Sequence, residues 1–82
     1  MMWYVYVLLC DDGSLYTGIA KIVEARFKVH LKGKGATYTR IHKPIKIIYQ
    51  EKVETIQAAM KRERQIKSWH KADKIKKLGL VL

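Results

Sequence analysis

The chain has 82 residues, the size of one small domain, and its 49% apolar content excludes wholesale disorder. Seventeen Lys and Arg against seven Asp and Glu leave a formal charge of +10, well above what solubility requires, which points to a polyanionic partner: nucleic acid first, an anionic membrane surface second. The single Cys10 excludes an intramolecular disulfide, no segment has the length of a membrane span, and the N-terminus lacks a secretory pattern, so the expected location is cytoplasmic.

Trp3 to Cys10 (WYVYVLLC) is rich in aromatic and β-branched residues and predicts a strand. Both alternating faces are apolar, with Trp3, Val5, Val7 and Leu9 on one and Tyr4, Tyr6, Leu8 and Cys10 on the other. Such a strand belongs in the middle of a sheet, and Cys10 reads as a buried thiol. Asp11-Asp12-Gly13-Ser14 is a turn signal and Leu15 to Ala20 a second strand, so residues 3–20 form a hairpin. A helix from about Ile22 to Leu31 follows, with Val23, Phe27, His30 and Leu31 on one stripe. Ala20-Lys21 offers no polar cap, which predicts a ragged start, and Lys32-Gly33-Lys34-Gly35 ends the helix. Ala36 to Lys43 reads as a basic loop, and Pro44 opens a third strand, Ile45 to Glu51. Thr55 caps a helix to about Trp69 with Ile56, Ala59, Met60, Glu63, Ile66 and either Trp69 or His70 facing inward. Lys71 to Leu82 adds a short amphipathic helix through Ile75 and Leu78. The order predicts an α+β domain over residues 1–82, a small antiparallel sheet covered by helices.

Glu63 is the most informative single residue. It falls on the apolar stripe of a helix whose other charges are nearly all positive, where a carboxylate is costly unless compensated. A hard cation such as Mg²⁺ compensates it through carboxylate oxygen. An ion pair does so equally well, with Arg62 and Arg64 adjacent and Lys67 one turn on. Arg26 and His30 share a helix face. Arginine can grip a phosphate through two parallel hydrogen bonds, and histidine can donate to an oxygen or move a proton near neutral pH; the same pair also describes a solvated helix edge. Tyr4, Tyr6 and Tyr16 gather in the hairpin, where packing is the default role of tyrosine. A phenol, with a pKa of about 10, serves as a base only where neighbouring positive charge lowers it. Lys32, Lys34, Tyr38, Arg40 and Lys43 mix cations with an aromatic, which suits backbone contact and base stacking as well as an ordinary solvated loop. Cys10, His30, His42 and His70 lack metal-ligand spacing, so no zinc site is expected. No phosphate-cradling, nucleophile-elbow or dinucleotide motif is present either.

Taken together, Tyr4-Val5-Tyr6, then CDDGSLYTGIA with its Tyr16-Thr17-Gly18, Arg26 with His30, GKGATYTR and RERQIKSW resemble the GIY-YIG nuclease superfamily, in its small stand-alone bacterial branch, over about residues 4–69. The resemblance implies a three-stranded antiparallel sheet flanked by helices, and phosphodiester hydrolysis with one divalent cation, Mg²⁺ or Mn²⁺. On the same basis, Tyr6 and Tyr16 match the motif tyrosines that touch or activate the attacking water. Arg26 matches the phosphate-stabilising arginine, His30 a histidine this branch often carries near the site, and Glu63 the single metal-binding glutamate. Tyr4 replaces the first glycine of the motif name, as is common in this branch, and Leu31 stands where an asparagine often follows the histidine.

A two-residue Asp12-Gly13 turn would put Tyr6 and Tyr16 on opposite sheet faces, whereas a loop of odd length, or a bulge, puts them on one face. The local turn signal favours the first and a shared site requires the second, so an odd loop or a bulge is expected. The expected function is a metal-dependent endonuclease, with Lys32, Lys34, Tyr38 and Arg40 as nucleic-acid contacts. The alternative is a non-catalytic nucleic-acid-binding module on the same scaffold, and a third reading is a structural accessory of a ribonucleoprotein. The expected partner is nucleic acid, DNA ahead of RNA, with no membrane and no small-molecule cofactor, for a monomer or weak dimer.

Overall fold

The structure, a computed structural model, describes residues 2–82. Three strands, β1 (Trp3–Cys10), β2 (Leu15–Ala20) and β3 (Pro44–Val53), form one antiparallel sheet in the order β2-β1-β3. The doubly apolar β1 takes the centre, as its sequence predicts. Val5, Tyr6, Val7 and Leu8 are all buried, and full burial of each aliphatic side chain contributes about 1.5–3 kcal/mol relative to exposure. One sheet face presents Tyr6, Leu8 and Ala20 to Val23 and Phe27 of α1 (Val23–Leu31). The other presents Val5 to Ala59 and Ile66 of α3 (Ile56–Lys67), and Val7 and Leu15 to Leu80 beyond α4 (Lys71–Leu78).

The hairpin turn decides what shares a face. Cys10 N–H donates to the Ser14 carbonyl at 2.9 Å and Gly13 N–H to the Cys10 carbonyl at 3.0 Å, with Gly13 at φ +83°. This closes a three-residue loop whose last member takes the left-handed conformation that glycine adopts freely. The register follows: Tyr6 opposes Gly18 and Leu8 opposes Tyr16, so Tyr6 and Tyr16 point to the same face. The odd loop expected from the shared-site argument is therefore the one formed.

Helix α1 starts on Ile22, which offers no side-chain cap, and ends in a Schellman turn. Lys34 N–H reaches the Val29 carbonyl and Gly33 N–H the His30 carbonyl, with Gly33 at φ +73°. Thr55 caps α3, its hydroxyl accepting from Ala58 N–H at 3.1 Å. Beyond α3, the Trp69 ring meets the cations of Arg62 and Lys77, at 5.4 and 4.6 Å from its centre. Arg62 also binds Glu51 of β3 (Nε to Oε2, 2.9 Å), tying α3 to the sheet.

Several sequence expectations need correction. The segment read as a basic loop contains a further helix, α2 (Thr37–Ile41), and β3 begins at Pro44 and runs on to Val53. Leu31 is 54% exposed instead of facing inward, and on α3 Ile56 and Met60 are exposed and His70 lies outside the core. The reason is that α3 meets the sheet along a narrow line through Ala59 and Ile66, which leaves its flanks in solvent.

Candidate active site

The centre of the site is a buried chain of polar side chains. Tyr6 and His30 are each 1% exposed. Tyr6 Oη lies 2.7 Å from His30 Nε2, His30 Nδ1 lies 2.7 Å from Thr39 Oγ1, and Thr39 Oγ1 donates to the Ala36 carbonyl at 3.1 Å. The proton arrangement that satisfies all three has Thr39 accepting from Nδ1–H and Nε2 accepting from the Tyr6 hydroxyl. That arrangement requires a neutral imidazole, and burial, helped by the nearby Arg26 charge, pushes the His30 pKa down accordingly. Burial likewise raises the Tyr6 pKa far above the ordinary phenol value, with Tyr16 and Glu63 adding to it and Arg26 opposing. Arg26 alone does not supply the cationic setting that would make Tyr6 a base.

Two glycines let this chain close. A Cβ on Gly18 would stand 2.5 Å from Tyr6 Oη and 2.7 Å from its Cζ, and a Cβ on Gly35 would overlap the His30 ring. The Gly35 carbonyl also accepts from Arg26 Nη2 at 3.3 Å, which leaves most guanidinium donors of that exposed side chain free. Tyr16 packs against the His30 ring at 5.0 Å and 62°, tilts onto Tyr38 at 5.7 Å, and is half-buried, unlike Tyr6.

The charged groups come from two helices. Arg26 on α1 and Glu63 on α3 both act electrostatically on the Tyr6 hydroxyl. Glu63 is half-buried and pairs with Lys67, Oε2 to Nζ at 3.3 Å, and the same ammonium lies 5.7 Å from the centre of the Tyr16 ring. Of the two compensations the sequence allows for Glu63, the ion pair is present, with Lys67 and not with a neighbouring arginine. Lys32 and Arg40 line one shallow cleft with Lys43, and Lys34 and Arg40 line the next around Gly33 and Gly35. Tyr38 stands apart from these lysines, stacked on His42 at 4.3 Å. His42 in turn binds Asp12 of the hairpin turn.

The structure thus brings Tyr6, Tyr16, Arg26, His30 and Glu63 around one centre and leaves Lys32, Lys34 and Arg40 along an adjoining basic rim. Sequence reasoning missed Thr39, Gly18, Gly35 and the second contact of Lys67. GKGATYTR carried Thr39 and Gly35 in plain view, but their use depends on α2 folding back onto α1. Among the described residues no three His, Cys, Asp or Glu side chains converge. One half-exposed carboxylate is a donor set that suits Mg²⁺ or Mn²⁺, hard cations that keep several waters and complete their shell with substrate oxygen.

A buried Tyr6–His30 pair packed beneath Tyr16, with Arg26 and Glu63 supplied by flanking helices, marks the candidate site on the three-stranded sheet. The chain matches the model of the GIY-YIG catalytic domain over residues 2–77 and belongs to that family. It is similar to the UPF0213 protein of Staphylococcus aureus strain Mu3 / ATCC 700698, at 47% identity over 73 residues, covering 89% of each chain. It is also similar to the solution NMR structure of the UPF0213 protein BH0048 from Bacillus halodurans, at 37% identity and a TM-score of 0.61, covering 96% of this chain and 84% of that one.

Proposed function

We propose that the protein is an endonuclease that hydrolyses nucleic-acid phosphodiester bonds with one Mg²⁺ or Mn²⁺, DNA ahead of RNA, as a monomer or weak dimer. The observation that carries this reading is that Arg26, anchored on Gly35 against the His30 ring, and Glu63, tied through Lys67 to the Tyr16 ring, flank the Tyr6–His30 pair from separate helices. Glu63 would hold the cation, which when bound supplies charge neutralisation and an acidified water. Arg26 would grip the non-bridging oxygens with the donors that Gly35 leaves free, countering charge that grows in the transition state. Tyr16, the less buried of the two phenols, would orient the attacking water by accepting its hydrogen bond. His30 has both ring nitrogens engaged inside the fold. We assign it, with Tyr6, a positioning role: the pair backs the Tyr16 ring, which packs against both.

The second reading, a binding module without turnover, is favoured by one observation, the Glu63–Lys67 pair, which a cation must open. Incubation of single-stranded, duplex and branched DNA, and of RNA, with and without Mn²⁺, separates the two. The nuclease reading expects metal-dependent products that fall about 10²–10³-fold in Arg26→Ala and disappear in Glu63→Ala, with circular dichroism unchanged. Equal cleavage by the wild type and both variants would reject it.

A further inference from the structure

Beside the site lies a cleft of about 320 Å³ lined by Leu15, Tyr16, Thr17, Tyr38, Lys67 and Lys74. It shares Tyr16 and Lys67 with the candidate centre, so whatever enters it adjoins that centre. Two features suit it to an anion. Lys67 from α3 and Lys74 from α4 line the same cleft. Burial and the charge of Lys67 both push the Lys74 pKa down, a cost the folded chain carries without a compensating carboxylate. Among the described residues Lys74 has no ion-pair partner, and Lys67 has one, Glu63, which is the group a divalent cation would claim.

We propose that Lys67 and Lys74 clasp a second backbone phosphate of a bound nucleic-acid strand, the one next to the phosphate at Arg26 and Glu63, with Tyr16 and Tyr38 as the wall against which that nucleotide rests. This rests on the nucleic-acid reading above and extends it to a subsite. The chemistry suits a phosphodiester: two ammonium groups from different helices can bind its two non-bridging oxygens, as point charges that make no demand on the base. The aromatic wall accommodates an unstacked nucleotide and favours a single strand over a closed duplex. A cation on Glu63 would release Lys67 towards the cleft, so metal and strand would strengthen each other's binding.

The test is binding, measured apart from cleavage. Fluorescence anisotropy with a short labelled single-stranded DNA, and with an RNA of the same sequence, is run across a salt series in EDTA. The proteins are the wild type, Lys67→Met, Lys74→Met, the double variant, and Lys61→Met, a lysine elsewhere on the exposed surface of α3. Melting curves check that each is folded. The clasp predicts that Lys67→Met and Lys74→Met each weaken binding about tenfold. It also predicts that the double variant loses less than the product of the two, because both serve one phosphate, and that its salt slope falls by about 0.7, one contact on a single strand. Lys61→Met should change little. If the two losses multiply, or if Lys61→Met loses as much, the lysines act as diffuse charge and the clasp is overturned. Unchanged binding in Lys74→Met with metal-dependent cleavage intact overturns the clasp and leaves the nuclease reading standing. Coupled losses in a protein that never cleaves support the clasp and overturn the nuclease reading.

Discussion

Gly35 lies so close to His30 that a Cβ built on it would overlap the imidazole, meeting Cε1 at 2.6 Å and Cγ at 2.8 Å. The ring cannot retreat without giving up Tyr6 on one side and Thr39 on the other. Gly35→Ala is expected to destabilise the protein by about 1–3 kcal/mol, the usual cost of overpacking a filled interior. It should also displace the carbonyl that anchors Arg26, so cleavage falls by more than the unfolded fraction explains. Denaturant unfolding and turnover measured on the same sample check this. An unchanged midpoint would mean that the α1–α2 loop moves freely away from the ring.

His30 gives the fold a pH dependence whose sign follows from its depressed pKa. The folded state holds the neutral ring while the unfolded chain takes up a proton below about pH 6.5. The contribution is therefore fully present above that pH and is lost as pH falls towards the lower folded-state value. Urea midpoints should decline from pH 7.5 to pH 5 in the wild type, and the decline should flatten in His30→Gln. Asp12, held below the usual carboxylate range by Ser14 and His42, loses its contribution only as pH falls below about 4, so the two windows separate. Parallel declines in wild type and His30→Gln would remove His30 as the cause.

Lys67 competes with any cation for Glu63. A pair one helical turn apart is worth about 0.3–0.5 kcal/mol, so Lys67→Met is expected to tighten Mn²⁺ binding by about twofold. Electron paramagnetic resonance titration of free Mn²⁺ reads this without any substrate. Weaker binding in the variant would mean that the ammonium orients the carboxylate more than it blocks it.

Arg26→Lys keeps the charge and gives up the planar pair of donors. The variant should bind single-stranded DNA within about twofold of wild type, while its cleavage rate falls about 10²-fold. Equal losses in binding and rate would make Arg26 a general electrostatic contact.

Much of the architecture was legible because it depends on local chemistry. β1 announces its central place by being apolar on both faces, Thr55 by standing before a helical pattern, and Gly33 by ending one. Glu63 was visible as an anomaly on an apolar stripe. What stayed hidden required two distant segments to meet. His30 falls on the apolar stripe of α1, but nothing local shows what makes its burial tolerable: Tyr6 and Thr39, 24 and 9 residues away, engage both its nitrogens. The helix α2 is too short for periodicity to register. Ile56 and Met60 read as core because an apolar stripe does not say how narrow the supporting sheet is at that point.

The turn between Cys10 and Ser14 governs more than its own shape. Deleting one of its residues would roll β2 over, sending Tyr16 and Gly18 towards α3 and bringing Leu15, Thr17 and Ile19 beneath α1. Removal of a single codon there would separate Tyr16 from Tyr6 and His30 through parity alone, with all three side chains still present in the chain.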